Sequence, residues 1–241
     1  AVVMLAGAGS TFNQMYSMDA SVGSLLMALL VIVTLMLNAE SIIKMLAALM
    51  PYLLGIIFIL LIYSLFTMNY PISELNAIAK SQPSATPNWF SGAVIYVSYN
   101  IAGGAAMLIV MGGTAPNRKV ARIGGALGGI FLGLLILLIN IALFVKMDIV
   151  AGVEMPTLEL AKQIHPAVGI IMSFVLLAMI YSTAVGTLYI LAVRIVKPDR
   201  FAFKVAVNLL CIVGFAISLV GFTTLISKLY VVMGYLGIGL I

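Results

Sequence analysis

The chain has little charge: Asp, Glu, Lys and Arg make up 8% of its 241 residues. With 64% hydrophobic residues and a mean hydropathy of +1.26, this scarcity excludes a soluble globular domain. Cysteine is almost absent. The single Cys211 cannot form an intrachain disulfide, and with one histidine in the chain no Cys/His cluster suggests a metal. Cys211 sits in an apolar run and reads as a small buried hydrophobe. Carboxylates are missing from the apolar runs: Asp19, Glu40, Glu74, Asp148, Glu154, Glu159 and Asp199 all fall in or beside predicted loops. That excludes an intramembrane aspartyl protease and argues against a carboxylate proton relay. HExxH and GxSxG are absent, so no enzymatic activity is expected. The net charge of +5 is spread thinly over loops, which sets membrane topology and gives no reason to expect a nucleic-acid partner.

Long apolar runs fill the space that charge leaves. A spanning helix needs roughly 20 apolar residues, and runs near that length recur throughout. The runs do not alternate, as membrane β-strands would. The expectation is an all-α, polytopic helical membrane protein, one transmembrane domain over 1–241, with about eight spans. The first runs from Ala1 to Tyr16, the next from Ser21 to Leu37 and another from Ile42 to Met68, with a kink predicted at Pro51. Asn69–Asn88, with Pro71, Pro83 and Pro87, reads as an exposed loop. Further spans cover Trp89–Gly113, Val120–Val145, Val168–Val196, Phe203–Ile226 and Leu229 onward. The opening AVVMLAGAG lacks a charged n-region and the closing VVMGYLGIGLI stops within an apolar run, so both ends read as incomplete spans of a larger protein.

Basic residues orient the bundle. Alternating spans place Lys44, Arg118, Lys119, Arg122, Arg194, Lys197, Arg200 and Lys204 on one side, and Lys80, Lys146, Lys162 and Lys228 on the other. The first side is expected to be cytoplasmic. The linker 69–88 and a short surface helix within 148–165, with Met155, Leu158, Leu160 and Ala161 on one face, are then extracytoplasmic.

The centre of Trp89–Gly113 reads YVSYNIAGG. Tyr96, Ser98, Tyr99 and Asn100 are polar, and Gly103–Gly104 follow within a turn. An unsatisfied polar group in hydrocarbon costs several kcal/mol, so this stretch must face protein or a water-filled cavity. An interrupted helix at this depth is predicted, whose freed backbone groups and half-helix dipoles hold a small-molecule solute. Packing is the alternative, since tyrosines line membrane interfaces and glycine pairs serve close helix crossings. Tyr181–Gly186 (YSTAVG) offers adjacent hydroxyls, Ser182 and Thr183, as hard oxygen ligands for Na⁺. Equally, such hydroxyls bond the carbonyl one turn back. Gly124, Gly128, Gly129 and Gly133 predict close helix packing, and Asn140 an interhelical hydrogen bond. Asn13 and Gln14 read as vestibule or loop residues, and His165 as an exposed loop histidine with a proton-linked role as the alternative.

The segments MLAGAGSTFNQ, FSGAVIYVSYNIAGG, APNRKVARIGGALGGIFLGLLILLIN and IYSTAVGTLYILAVRI resemble the YkvI-type bacterial membrane proteins over nearly the whole chain. That family resembles the amino acid-polyamine-organocation transporters of LeuT-like fold, two inverted five-helix repeats. The resemblance implies a partial LeuT-like bundle that begins at the third helix, in the bacterial cytoplasmic membrane. It makes Trp89–Gly113 the sixth helix, unwound at the substrate. It implies Tyr99, Asn100 and the backbone of Ala102–Gly104 on the substrate side, and Ser182 and Thr183 on a sodium side. The function so implied is cation-coupled secondary transport of an amino acid or amine by alternating access. A non-transporting envelope or sporulation partner with the same fold is the alternative, and an ion channel a third reading.

Overall fold

A computed structural model describes residues 1–36, 50–84, 86–196 and 201–239. Among the described residues all regular structure is helical. The elements are α1 (Val2–Tyr16), α2 (Ala20–Met36), α3 (Met50–Phe66), α4 (Ile72–Ser81), α5 (Trp89–Thr114), α6 (Arg118–Val145), α7 (Met147–Val150), α8 (Pro156–Ile164), α9 (Pro166–Ile195), α10 (Phe201–Ser218) and α11 (Phe222–Leu225). A π turn (Ile226–Tyr230) then runs into α12 (Val231–Ile238). Side chains start the long helices. Asn88 Oδ1 accepts from Ser91 N–H at 2.8 Å before α5, and Asn117 Oδ1 from Val120 N–H at 2.9 Å before α6. Each Asn follows a proline, which cannot continue a helix but leaves the next residue free to cap one. Exposed His165 does the same for α9, its Nδ1 accepting from Ala167 N–H at 3.1 Å, in keeping with a loop histidine.

Two apolar cores share α9. One joins α1, α2, α9 and α10 around Leu5, Val31, Val185, Leu188, Val207 and Cys211, which is fully buried as expected. The other joins α3, α6, α8 and α9 around Leu60, Ala142, Leu158, Leu160 and Met172. The α1–α2 hairpin closes on glycine: a carbon added at Gly23 would stand 2.8 Å from Phe12 Cβ. Hydroxyl pairs tie α9 to it: buried Tyr181 to Thr34, and exposed Tyr16 to buried Ser173 at 2.9 Å. The surface helix is present as α8, with Leu158, Leu160 and Ala161 buried. Gln14 clamps it to α1. Its Nε2 donates to Met155 O and Glu159 Oε2, both at 3.1 Å, and its Oε1 accepts from Met155 N–H at 3.0 Å. Lys146 is buried where α6 ends; its ammonium donates to Thr67 O and lies 5.6 Å from the Tyr63 ring centroid.

Several expectations are corrected. The kink predicted at Pro51, the second described residue of α3, depends on residues 42–49, which lie outside the described residues. The linker 69–88 contains α4, an amphipathic helix that buries Leu75, because its apolar residues recur at helical spacing between the prolines. The glycines of α6 meet no atom of the described residues within 4 Å; their neighbours are exposed Leu127, Ile130 and Phe131, and apolar side chains need no protein partner in lipid. Asn140 is exposed and has no hydrogen-bond partner among the described residues. The boundary between the last two spans lies at Leu219–Gly221, where Gly221 takes φ +100°. Lys228 therefore sits inside a helical stretch, its cationic end exposed.

Candidate functional site

α5 is one unbroken helix of 26 residues. The predicted interruption at Tyr96–Gly104 is absent. Two of its polar side chains are bonded without unwinding: Ser98 Oγ donates to Val94 O at 2.7 Å, and Asn100 Nδ2 donates to Tyr96 O at 2.8 Å. A hydroxyl or amide that bonds the carbonyl one turn back carries its polarity within the helix. Gly103 is exposed with no atom within 4 Å of an added carbon, and Gly104 is half-buried; neither ends the helix.

The irregular helix is the one packed against α5. Gly234 and Gly237 of α12 press on the α5 backbone. A carbon added at Gly234 would stand 2.8 Å from Ile95 O, and one at Gly237 2.8 Å from the Ser98 carbonyl carbon. This buries Ile95 and Ser98 and brings the π turn over the next turn of α5. Tyr230, the last residue of the π turn, stacks on Tyr99 with centroids 4.6 Å apart and planes at 28°. Tyr99 meets Tyr96 edge-on at 5.2 Å. Tyr96 and Asn100 are exposed beside this cluster, and Tyr99 and Tyr230 are half-buried. A π turn displaces the regular ladder of backbone bonds, and three ring faces offer negative potential to a cation.

Ser182 and Thr183 lie elsewhere. Both hydroxyls donate to Met179 O, at 2.8 and 2.9 Å, with Ser182 half-buried and Thr183 exposed. Helix α9 packs on α1, α2, α8 and α10, whereas α5 packs on α12 and the π turn, so the two residue sets occupy separate seams. Reading the sequence missed Tyr230, whose signal was faint: a tyrosine four residues before a small-xx-small pair, Gly234 and Gly237.

Two cavities among the described residues lie away from α5. One is an apolar gap of about 10 Å³ between α3, α6 and α8. The other, about 230 Å³, lies where α1, the α1–α2 turn, Glu154 and the α10–α11 break meet. Thr223 on α11 donates to Glu154 Oε1 at 3.2 Å across its edge.

Arg118–Val145, Pro166–Ile195 and Phe201–Ser218 are long and apolar enough to cross a bilayer, and their outward faces are aliphatic and aromatic. These features define a helical membrane protein. Over 241 residues the chain is 23% identical to the uncharacterized membrane protein YkvI of Bacillus subtilis (strain 168), a match that takes in 99% of this chain and 67% of that protein. The likeness supports a place among YkvI-type membrane proteins. No protein-family model and no solved structure matches the chain.

Proposed function

We propose that the protein is a secondary transporter of a small organic solute, an amino acid or an amine, in the bacterial cytoplasmic membrane. The observation that carries this reading is the π turn at Ile226–Tyr230, inside an apolar helical stretch and stacked on Tyr99. Irregular backbone at membrane depth is tolerated where protein or a cavity satisfies it, and such turns recur at functional sites. Tyr96, Tyr99 and Tyr230 would face the ammonium group of the solute, with Asn100 beside them and the buried Ser98 at the floor. Gly103–Gly104 would let the next turn of α5 adjust as access alternates. Coupling to Na⁺ would use the free lone pairs of Ser182 and Thr183 on α9, whose protons are already committed to Met179 O.

The test is uptake of radiolabelled amino acids and amines by proteoliposomes under a sodium gradient. Saturable uptake should fall at least tenfold in Tyr99→Ala and Tyr230→Ala, and Ser182→Ala should reduce its sodium dependence. Unchanged uptake in all three would remove these roles. The unbroken α5 favours a second reading: a non-transporting membrane protein that retains the fold. Absence of gradient-driven uptake across the panel would favour that reading.

A further inference from the structure

The 230 Å³ cavity at the α1–α2 end of the bundle has the chemistry of a cation site. Two carboxylates edge it. Asp19 Oδ1 is taken by the N–H and O–H of Ser21, at 2.8 and 2.6 Å, and Glu154 Oε1 by the Thr223 hydroxyl. Each acid keeps its second oxygen uncommitted. Among the described residues neither carboxylate has a salt-bridge partner; the one ion pair there joins Lys162 to Glu159.

The hydroxyls inside are a separate observation. Ser10 and Ser24 are each only 3% exposed and line the cavity, and neither side chain is hydrogen-bonded to a described residue. Several other buried hydroxyls in this bundle are partnered: Thr11 bonds Gly7 O, Ser173 bonds Ile170 O, and Ser218, at the same cavity, bonds Phe215 O, whereas Ser64, away from the cavity, is buried without a partner among the described residues. A buried hydroxyl left open to a cavity forgoes a bond worth about 1 kcal/mol unless something in the cavity completes it.

The remaining wall is apolar, built from Ala6, Ala20, Leu219 and Phe222. The volume exceeds what one dehydrated metal ion needs, and a bare ion would leave those carbons facing water. An alkylammonium satisfies both halves: its N–H groups reach the free carboxylate oxygens and the serine hydroxyls, and its carbons cover the apolar wall. The positive φ of Gly221 shapes the break that forms one side, so the cavity is built by the fold and not by side-chain rotamers alone.

We propose that this cavity is a binding site for a small organic ammonium ion, held by Asp19, Glu154, Ser10 and Ser24. It is separate from the α5–α12 seam and needs no transport, so it stands or falls independently of the proposed function.

The test uses the whole chain purified in detergent, where uptake cannot occur, and calorimetric titration with propylammonium chloride, 1-propanol and sodium chloride. Saturable binding of propylammonium is expected, with none of 1-propanol. Asp19→Asn and Glu154→Gln, which preserve shape and the Ser21 and Thr223 bonds, should each weaken binding about tenfold, the loss of one charge-assisted contact. Ser10→Ala with Ser24→Ala, which changes no charge, should weaken it several-fold and covers the case in which a carboxylate variant fails to fold. Unaltered affinity in the folded variants would overturn the site. Sodium chloride binding as tightly as propylammonium would overturn the choice of ligand.

Discussion

Gln14 spends all of its amide on α8 and the residue before it. Two of its three bonds tie Met155 N–H and O to α1. Gln14→Ala leaves that N–H without its acceptor, and a buried polar group so stranded costs about 1–3 kcal/mol. A lower melting temperature is expected, with faster amide exchange confined to Met155–Lys162; uniform exchange would contradict the clamp. Asp19 works at the other side of the same end. The Ser21 hydroxyl first, and the Ser21 N–H second, hold its carboxyl below the usual carboxylate range. Because the folded value is depressed, this contribution is complete above the unfolded value of about 4 and is lost as pH falls through the folded value. Wild-type melting should therefore fall more steeply than that of Asp19→Asn as pH drops below about 4. Parallel profiles would show that the Asp19 cap adds nothing. The magnitude is small, since the carboxylate is solvent-exposed.

Helix α5 separates two meanings of glycine. Gly103 faces open space within a regular turn, and Gly237 meets the Ser98 backbone. Gly103→Ala should be neutral or stabilising by up to about 1 kcal/mol, since alanine restricts the unfolded chain and favours helix. Gly237→Ala should cost about 1–3 kcal/mol, because backbone cannot yield as a side chain can. Denaturant unfolding in mixed micelles measures both, and a loss in Gly103→Ala would revive an unwound α5. The long helices were legible in the sequence because hydropathy alone fixes them: the predicted Trp89–Gly113 and Val168–Val196 lie within two residues of α5 and α9 at each end. The interruption was misread because polarity was taken to require unwinding. Ser98 and Asn100 show the cheaper solution, a bond to the carbonyl four residues back. The real irregularity, Leu219–Gly221 and the π turn, has no apolar-pattern signature, since shifting one backbone bond leaves the residue order apolar throughout.

At the scale of the molecule, α9 joins the two apolar cores, whereas α5 reaches the bundle chiefly through α12 and the π turn. Composition could announce a membrane bundle but not this arrangement, because helix choice in lipid depends on shape at seams such as Gly234–Ile95 and not on burial of apolar area. The glycine-rich face of α6, expected to pack closely, meets no other described residue, while the sparser pair on α12 is closed against α5. Stability should therefore be uneven. Amides of α5 and α12 are expected to exchange as one unit, faster than those of α9, because they open without disturbing either core. Gly237→Ala should lower their protection about tenfold, the factor that corresponds to roughly 1.4 kcal/mol, and leave α1, α2 and α9 unchanged. Hydrogen exchange read by mass spectrometry in nanodiscs decides this. Protection lost equally across all helices would mean that the α5–α12 pair is part of one cooperative core, and the solute seam proposed there would then lack the independent motion that alternating access requires.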